Sequence, residues 1–423
     1  MQKSIVSIVK GIDADRMVEQ AVDHLGGIKS LVRAGSTVVI KPNAGHEAGP
    51  EASVNTSPAV VAAVIRLVKR AKPGKIILAE SSAIGCDTFA CLESSGIKQV
   101  AEQEGVDEIR DIKSDEDLVS KPFDNPTSQI KKVDLPRFLL EADHLVNVPI
   151  FKSHVSMVFT CALKNLKGVV QDKHHYVMHC TNLANAMMDL GDVVRPDLTL
   201  VDMIRPMEGF GPHSGTPVEF DCVVAGQDMV AIDATACRMT GLPLEKVEYF
   251  DAAREKGLGT FDEDQIEIRG NSIDEVRQEL YLPYLEGFEA WPEYNIHLEK
   301  ACSTCQGLLS FTMSKLKSLD QYDKNKGIHI VLGRHPRLPE GVEPGEDLVI
   351  MGDCGMALKK RIDKAGGTCV HIPGCPPAEP VPAWMINDRG ELETEAVDLE
   401  AVRRRQVEED RIFKDWIKAQ KRD

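Results

Sequence analysis

Four cysteines in the last third of the chain are spaced like the ligands of a soft-metal site. Two form a C-x2-C pair, and each of the other two follows a predicted strand in a loop that contains glycine; the four are Cys302, Cys305, Cys354 and Cys375. The ends of strands are where an α/β domain gathers its ligands. Four thiolates bind either Zn2+ or a [4Fe-4S] cluster, so the sequence predicts one of these two groups.

The residues around these cysteines favour the cluster over zinc. Gly352, Gly355 and Gly374 allow tight turns whose N–H groups can point at inorganic sulfides. The stretch from Pro373 to Pro377 resembles the cluster loop in the small subunits of nickel–iron hydrogenases. Zinc sites more often use two C-x2-C pairs, and this sequence has one. We therefore predict a [4Fe-4S] cluster, with structural Zn2+ or four unconnected buried cysteines as the alternatives.

Composition limits the other possibilities. The chain has 423 residues, with 66 acidic and 50 basic side chains and a net charge of −16, which disfavours nucleic acid and anionic membranes as partners. No apolar run approaches the roughly 20 residues of a membrane-spanning helix, so we expect a cytoplasmic protein whose thiols stay reduced. The remaining cysteines are assigned to packing, with Cys369 kept as the alternative to Cys354 as a ligand: Cys86, Cys91, Cys161, Cys180, Cys222, Cys237 and Cys369.

A basic, histidine-rich stretch lies within this acidic chain. Between residues 152 and 179 it contains four lysines and four histidines: Lys152, Lys164, Lys167, Lys173, His154, His174, His175 and His179. Local positive charge in an acidic protein is what a site for an anionic small molecule requires. We expect the lysines and the backbone N–H groups near Gly168 to hold a carboxylate or phosphate, the alternative being that the lysines are simply solvated.

Three residues are candidates for catalysis. His154 follows a strand end and has cationic neighbours that would lower its pKa, so we expect it to transfer protons beside Lys152. Glu208 begins a glycine-rich segment that lets the backbone approach a ligand closely. His175 and His179 are four residues apart, as in helical metal sites, but no third ligand is suitably spaced, and His175 is assigned to substrate contact.

The elements that position these residues are strands alternating with helices. Strands are predicted at 36–41, 75–80, 144–149 and 198–202. An apolar helix runs from Pro58 to about Ala71, with Ser57 as its expected N-cap and Pro58 at the first helical position. This spacing predicts βαβ units and a mostly parallel sheet. Asp228 is the expected N-cap of a later helix. We predict an α/β fold with a larger N-terminal domain over 1–295 and a smaller C-terminal α/β domain over 296–423, which carries the cysteines and a helical tail at 399–421.

The motifs of the first 245 residues resemble those of the DUF362 family (domain of unknown function 362) of prokaryotic iron–sulfur proteins. They are Lys41-Pro-Asn43, Lys152-Ser-His154, Lys164-Asn165-x-Lys167-Gly168, Met207-Glu208-Gly-x-Gly-Pro212 and Asp228 with Asp233. Independently of the family, we assign Lys41, Asn43, Lys164, Asn165, Lys167 and Gly168 to the substrate site, because the first two lie at a predicted strand end and the others in the basic stretch. Many members carry a C-x2-C-x2-C-x3-C-Pro ferredoxin module, which is replaced here by the dispersed cysteines. The family name supplies no reaction.

These observations predict a cytoplasmic iron–sulfur enzyme, a reductase acting on an anionic small organic substrate, with the cluster at the domain interface. A ferredoxin-like protein would donate the electrons. One alternative is a non-redox lyase or isomerase that uses the cluster as a Lewis acid or holds a structural zinc. The other is a non-catalytic electron carrier or cluster scaffold.

Overall fold

The structure, a computed structural model, describes residues 3–318, 325–375 and 377. Its internal contacts divide the chain into two units. Unit 1 comprises Met1–Met178 and Leu183–Leu282, and unit 2 comprises His179–Asn182 and Pro283–Asp423. Ile296, where the sequence predicts the boundary, therefore lies inside unit 2. The predicted helix from 399 to 421 lies outside the described residues.

Strands and helices alternate along unit 1. Its strands are β1 (Ser4–Lys10), β2 (Thr37–Pro42), β3 (Lys75–Glu80), β4 (Glu108–Asp111), β5 (Leu118–Pro122), β6 (Lys132–Pro136), β7 (His144–Val148), β8 (Ile150–His154), β9 (Val158–Thr160), β10 (Leu198–Glu208), β11 (Thr216–Pro217), β12 (Cys222–Gly226) and β13 (Ile266–Gly270). Its α-helices are α1 (Ala14–Asp23), α2 (Ile28–Leu31), α3 (Pro58–Arg70), α4 (Thr88–Ser94), α5 (Ile97–Gln103), α6 (Arg137–Glu141), α7 (Ala162–Asn165), α8 (Asp172–Cys180), α9 (Leu183–Val193), α10 (Met229–Met239), α11 (Glu248–Lys256) and α12 (Ile273–Val276). Within the part of the chain that the structure describes, no helix has the length and apolar composition needed to cross a bilayer.

The main sheet of unit 1 has the strand order β13-β1-β12-β10-β7-β2-β3-β4, and β8 pairs with β10 beyond the end of β7. Strand β2 is parallel to β3 and β7, and β10 is parallel to β7 and β8. Strand β12 runs antiparallel to its neighbours β1 and β10. The sheet is thus mostly parallel, which confirms the predicted α/β class.

The connections of this sheet diverge between β2 and β7. From β2 the chain passes through α3 to β3 on one side, whereas from β7 and β8 it passes through α7, α8 and α9 to β10 on the other. Neighbouring parallel strands with diverging connections leave a crevice at their carboxyl ends, where open α/β sheets bind ligands. The residues that follow β2, β3, β8 and β10 lie at this edge of the sheet.

Helix α3 forms where the sequence predicts it, but it begins differently. Pro58 occupies the first turn as expected, and the apolar face of the helix is buried. The expectation that the Ser57 hydroxyl caps this helix is wrong, because that side chain makes no capping hydrogen bond. Instead the Ser57 backbone N–H donates to Oδ2 of the buried Asp202 on β10, at 2.8 Å. A residue 145 positions away therefore satisfies the helix terminus.

Unit 2 contains a second, smaller parallel sheet. Its elements are β14 (Asn295–Glu299), α13 (Ser303–Ser318), β15 (His329–Gly333), β16 (Leu348–Met351), α14 (Met356–Lys364) and β17 (Val370–Ile372), with the strand order β14-β15-β16-β17. Alternate residues of the central strands are buried on opposite faces: Ile330 and Val349 pack with Leu309 of α13, and Val331 and Ile350 pack with Leu358 of α14. The smaller C-terminal α/β sheet predicted from the sequence is therefore present.

The contribution of Asp228, the N-cap of α10 in unit 1, to the stability of the protein can be measured directly. Oδ1 of Asp228 accepts the Val230 and Ala231 N–H groups at 2.9 and 3.0 Å, as the sequence predicts, and Oδ2 accepts the Ser4 hydroxyl and the Thr260 N–H. Asp228→Ala removes all four bonds and should lower the free energy of unfolding by about 2–3 kcal/mol. Asp13→Ala removes an exposed cap with one bond and should cost about 0.5–1 kcal/mol. Urea unfolding measures both, and equal losses would contradict the role of Asp228 as a tertiary junction.

Candidate functional site

A buried ion pair joins the ends of β2 and β3. Nζ of Lys41 lies 2.9 and 3.0 Å from the two carboxylate oxygens of Glu80, and the side chains are 1% and 2% exposed. Lys41 also donates to the Pro42 carbonyl, and Glu80 accepts the N–H groups of Ala44 and Ser81. Burial lowers the pKa of Lys41, and the Glu80 carboxylate counters that effect. The pair thus has hydrogen-bond partners on both sides, which an ion pair needs in a low-dielectric interior.

Gly168 closes over this ion pair. A Cβ atom at position 168 would lie 1.9 Å from Oε1 of Glu80 and 2.6 Å from Nζ of Lys41. The Gly168 carbonyl also accepts the Ser81 N–H at 3.0 Å. Only glycine fits at this position, because any side chain would displace the pair. The structure therefore brings together Lys41 and Gly168, two residues that the sequence predicts in the substrate site.

A chain of side-chain amides extends from the ion pair across the crevice. Nδ2 of Asn43 donates to Oδ1 of Asn165 at 3.0 Å, and Nδ2 of Asn165 donates to Oδ1 of Asn147 at 2.8 Å. Oδ1 of Asn43 accepts from Nζ of Lys152 at 2.9 Å. The network links β2, β7, β8 and α7, so the predicted residues Asn43, Asn165 and Lys152 lie in direct contact. Fully bonded buried amides hold their neighbours in one arrangement.

Lys152 and Lys164 carry the positive charge of the site. Lys152 is buried, and besides Asn43 it donates to the Val54 carbonyl at 2.6 Å. Burial, followed by repulsion from Lys164, lowers the pKa of Lys152 to about 7. Burial lowers the pKa of Lys164 to about 8, and no charged group in the described chain offsets this effect. Both ammonium groups therefore titrate near neutral pH, within range of each other's charge.

Lys167 and His175 are also buried nearby, but their roles differ from those of the other two lysines. Nε2 of His175 lies 2.5 Å from the Lys167 carbonyl oxygen and must donate to it, since a carbonyl only accepts. Burial and the charge of Lys167 lower the pKa of His175 well below its usual range, so the ring is neutral. Four residues on, His179 belongs to unit 2 and contacts Ser303. The two histidines therefore have different partners.

His154 and Glu208 lie at the ends of adjacent strands. His154 is buried, and its Nδ1 accepts the Ser156 N–H at 3.0 Å. It shares a face of β8 with Lys152, because residues two apart in a strand point the same way. The half-buried Glu208 carboxylate accepts the Tyr281 N–H at 2.7 Å. The roles assigned to both residues remain predictions.

The glycine-rich loop after β10 packs against β8. The Ser153 hydroxyl donates to the Gly209 carbonyl and accepts the Gly211 N–H. A Cβ at position 211 would lie 2.1 Å from the Ser153 carbonyl oxygen, so glycine is needed for this close approach. His213 follows, with its ring 5.0 Å from that of His46 in an edge-to-face contact. Sequence reasoning missed both histidines, although each lies in a loop that follows a strand end.

The cysteines of unit 2 gather at the start of α13 and the ends of β16 and β17. Cys302 immediately precedes α13, and its sulfur accepts N–H groups of Thr304 and Cys305, as an N-cap does. Contacts with the thiol of Cys180 first and then with that of Cys305 lower the pKa of Cys302 well below its usual range. Sequence reasoning assigned Cys180 to packing. The segment His179–Asn182 places it beside Cys302 within unit 2.

The other two predicted cysteines lie close enough to act on Cys305. Contact with Cys302, then burial, then the charges of Cys375 and Cys354 raise the pKa of Cys305 well above its usual range. Gly352 has a φ of +88°, and a Cβ there would lie 3.6 Å from the Cys305 sulfur. Cys302, Cys354 and Cys375 thus lie within electrostatic range of Cys305. In the part of the chain that the structure describes, however, no three His, Cys, Asp or Glu side chains are grouped so that they could hold a metal ion, so the four-thiol ligand set stays a prediction.

Gly168→Ala tests the ion pair on which this site is built. The added methyl group would force Lys41 and Glu80 apart and should lower the free energy of unfolding by about 3–5 kcal/mol, the cost of breaking a buried pair. Gly45→Ala is the matched control, because it lies at the same sheet edge and a Cβ there meets nothing within 4 Å. Thermal unfolding of both variants measures the difference. A Gly168→Ala protein as stable as Gly45→Ala would show that the pair has freedom to move.

Comparison with known proteins agrees with the sequence motifs. Thylakoid-associated protein sll1697 of Synechocystis sp. is 30% identical over 220 residues; the match covers 50% of this chain and spans 65% of that protein. Among solved structures, the lactate racemase apoprotein from Thermoanaerobacterium thermosaccharolyticum has a TM-score of 0.41 at 12% identity, covering 88% of this chain and 93% of that one. A protein from Thermotoga maritima has a TM-score of 0.34 at 12% identity, covering 55% and 60% of the two chains. Residues 38–238 match the model of the domain of unknown function DUF362, the family whose motifs this sequence resembles.

Proposed function

We propose that this protein is a cytoplasmic iron–sulfur enzyme that binds a small anionic organic substrate at the sheet edge of unit 1 and reduces it. The observation that carries the proposal is the pair of lysines, Lys152 and Lys164, whose pKa values are lowered to about 7 and about 8 at the crevice between diverging connections. Two desolvated cations near each other are unfavourable without an anion. A carboxylate or phosphate placed between them would relieve both the burial and the repulsion.

The hydrogen bonds already made by Lys152 leave capacity for a ligand. An ammonium group has three N–H donors, and that of Lys152 uses two, on Asn43 and the Val54 carbonyl. The third is available to an anion. Among the described residues, Lys164 has no neutralising carboxylate, unlike Lys41, whose charge is matched by Glu80. Lys41 is thus a structural cation in this proposal, and Lys152 and Lys164 are the binding cations.

The same lysine can transfer a proton. A group with a pKa near the working pH is populated in both protonation states, which is what acid–base catalysis requires. Lys152, with a pKa of about 7, meets this condition, and His154 lies on the same face of β8. We assign proton transfer to these two residues, and Glu208 orders the neighbouring loop by accepting the Tyr281 N–H.

The thiols of Cys302, Cys305, Cys354 and Cys375 would hold the cluster in unit 2. The proposal is supported by the spacing of the four cysteines in the sequence and by the electrostatic influence of Cys302, Cys354 and Cys375 on Cys305. When bound, a [4Fe-4S] cluster supplies single electrons at a potential set by its surroundings. A ferredoxin-like protein is the proposed electron donor. Zn2+ in the same thiols, with a lyase or isomerase activity, and a non-catalytic electron carrier are the competing outcomes.

Anion binding should depend on pH in a defined direction. Lysine is charged below its pKa, so lowering the pH from about 9 to about 6 charges Lys164 first and Lys152 second. Affinity for sulfate and oxalate, measured by isothermal titration calorimetry, should therefore rise as the pH falls through this range. Lys152→Met should weaken binding about tenfold or more at pH 6, because it removes a charge-assisted hydrogen bond.

Lys173→Met is the control for this measurement. Lys173 comes from the same basic stretch, but it pairs with Asp134 and is 47% exposed. Its loss should leave anion affinity within about twofold of the original protein, since exposed charges are screened by solvent. Equal effects of the two variants would contradict the assignment of the binding cations to the crevice.

Cluster content can be measured independently of any reaction. Anaerobically purified protein should be brown and contain about four irons and four sulfides per chain. Serine at any of the four ligand positions should lower the iron content, whereas Cys369→Ser should leave it unchanged. Colourless protein with stoichiometric zinc would contradict the cluster and support a structural zinc site. Normal partner reduction in the Lys152→Met and His154→Ala variants would support the electron carrier over the enzyme.

A further inference from the structure

A second group of thiols and imidazoles lies at the same sheet edge, and none of its residues has a role in the proposed function. Cys86, in the loop after β3, has its sulfur 3.6 Å from Nδ1 of His46, in the loop after β2. His213 contacts His46 from the loop after β10. Cys91, on α4, is in hydrogen-bond contact with the Cys86 sulfur. Three loops and a helix thus bring two thiols and two imidazoles together.

Helix capping explains why the two cysteines meet. Asp87 is the N-cap of α4 and accepts the Ala90 N–H, so Cys86 is the residue before the cap and Cys91 is the fourth residue of the helix. Side chains at these two positions normally pack as a hydrophobic staple. Cys91 is fully buried in the core, whereas Cys86 is only partly buried. The helix geometry therefore presents one thiol to solvent and keeps its neighbour inside.

The surroundings of Cys86 favour its ionised form. The S–H of Cys91, followed by His46, lowers the pKa of Cys86, and contact with Cys86 followed by burial raises the pKa of Cys91. The charged or titratable groups that act on the two sulfurs are His46 and Glu47 after β2, and Lys113 after β4. Lys113 also fixes the loop by donating to the Ala83 and Cys86 carbonyls at 2.6 and 3.0 Å. A staple made only for packing requires neither a histidine nor a lysine.

We propose that Cys86 and Cys91 form a redox-active dithiol that exchanges with low-molecular-weight disulfides. The accessible Cys86 thiolate attacks one sulfur of the incoming disulfide, which forms a mixed disulfide and expels one thiolate. The Cys91 thiol then loses its proton to the expelled thiolate or to His46 and attacks the Cys86 sulfur. That step releases the second thiolate and closes the Cys86–Cys91 disulfide. Two electrons pass from the two cysteines to the incoming disulfide, whose halves leave as one thiol and one thiolate, and the thiolate takes a proton from solvent.

A small disulfide suits this site better than a protein disulfide. The Cys86 sulfur is partly buried among the loops that carry His46, Ala83 and Lys113, and a folded protein would have to enter between them. Partial exposure and a neighbouring second thiol are the features of reversible redox cysteines. The proposal does not depend on anion binding or on the cluster, and it can fail while both of those hold.

The sequence provides a convenient readout. No lysine or arginine separates the two cysteines, so trypsin releases both in one peptide, residues 76–98. We would equilibrate the full-length, anaerobically purified protein with mixtures of reduced and oxidised glutathione, block free thiols with iodoacetamide and digest it. As the oxidised fraction of glutathione rises, the doubly alkylated peptide should be replaced by a peptide that carries no alkyl group. The mass of that second form should be two hydrogens below the mass of the unmodified, reduced peptide. A peptide that stays doubly alkylated at every ratio would overturn the proposal.

Two variants separate attack from resolution. Cys91→Ala should accumulate a glutathione mixed disulfide on Cys86, because the second step is lost; alanine is chosen since a buried serine hydroxyl would have no assured partner. Cys86→Ala should leave Cys91 unmodified. Cys222→Ala is the control: it removes another fully buried thiol of unit 1, and the 76–98 disulfide should still form. Cys91 modified before Cys86, or a Cys91→Ala protein without an adduct, would also exclude the mechanism.

Discussion

The buried ion pair between Lys41 and Glu80 is the interaction on which the rest of unit 1 depends. Each ion loses several kcal/mol of hydration when it leaves water, and the pair is tolerated only because backbone N–H groups and a carbonyl complete its hydrogen bonds. Those backbone groups come from the loops after β2 and β3, so the pair fixes both loops. Position 168 must be glycine, because a side chain there would displace the ion pair. The edge of the sheet is therefore held rigidly before any ligand arrives.

Three lysines at this edge of the sheet carry buried positive charge, and they differ in the partners of their ammonium groups. Lys41 is neutralised by a carboxylate, Lys152 has only neutral oxygen partners, and Lys164 has no charged partner in the described chain. Burial lowers the pKa of all three lysines. Glu80 counters this effect at Lys41, whereas Lys152 and Lys164 have no paired carboxylate among the described residues and are available to an anion or a proton. The proposed anion binding depends on this difference, because a site in which all three lysines were paired with carboxylates would have no positive charge left for a ligand.

Both units place their reactive groups where parallel strands end. In unit 1 these are lysines, amides and histidines, and in unit 2 they are cysteines next to β16, β17 and the start of α13. Glycines at 168 and 211 lie at points of closest approach in unit 1, because a Cβ there would lie 1.9 Å from Oε1 of Glu80 and 2.1 Å from the Ser153 carbonyl oxygen. Cys86 adds a third kind of chemistry to the edge of unit 1, supported by the cap of a short helix and not by a strand.

The sequence by itself determined where helices and strands form, and it placed the candidate functional residues at the ends of strands. Periodicity and turn residues located β3 at 75–80, α3 from Pro58 and the cap at Asp228, because these depend on neighbours a few residues apart. The family motifs named Lys41, Asn43, Asn165 and Gly168, which the structure brings into contact. Only the tertiary structure decided the partners: Asp202 in place of the Ser57 hydroxyl, Cys180 beside Cys302, and His46 beside Cys86. These contacts join residues 40 to 145 positions apart, and local pattern cannot encode them because they depend on how strands and loops meet after the chain has folded.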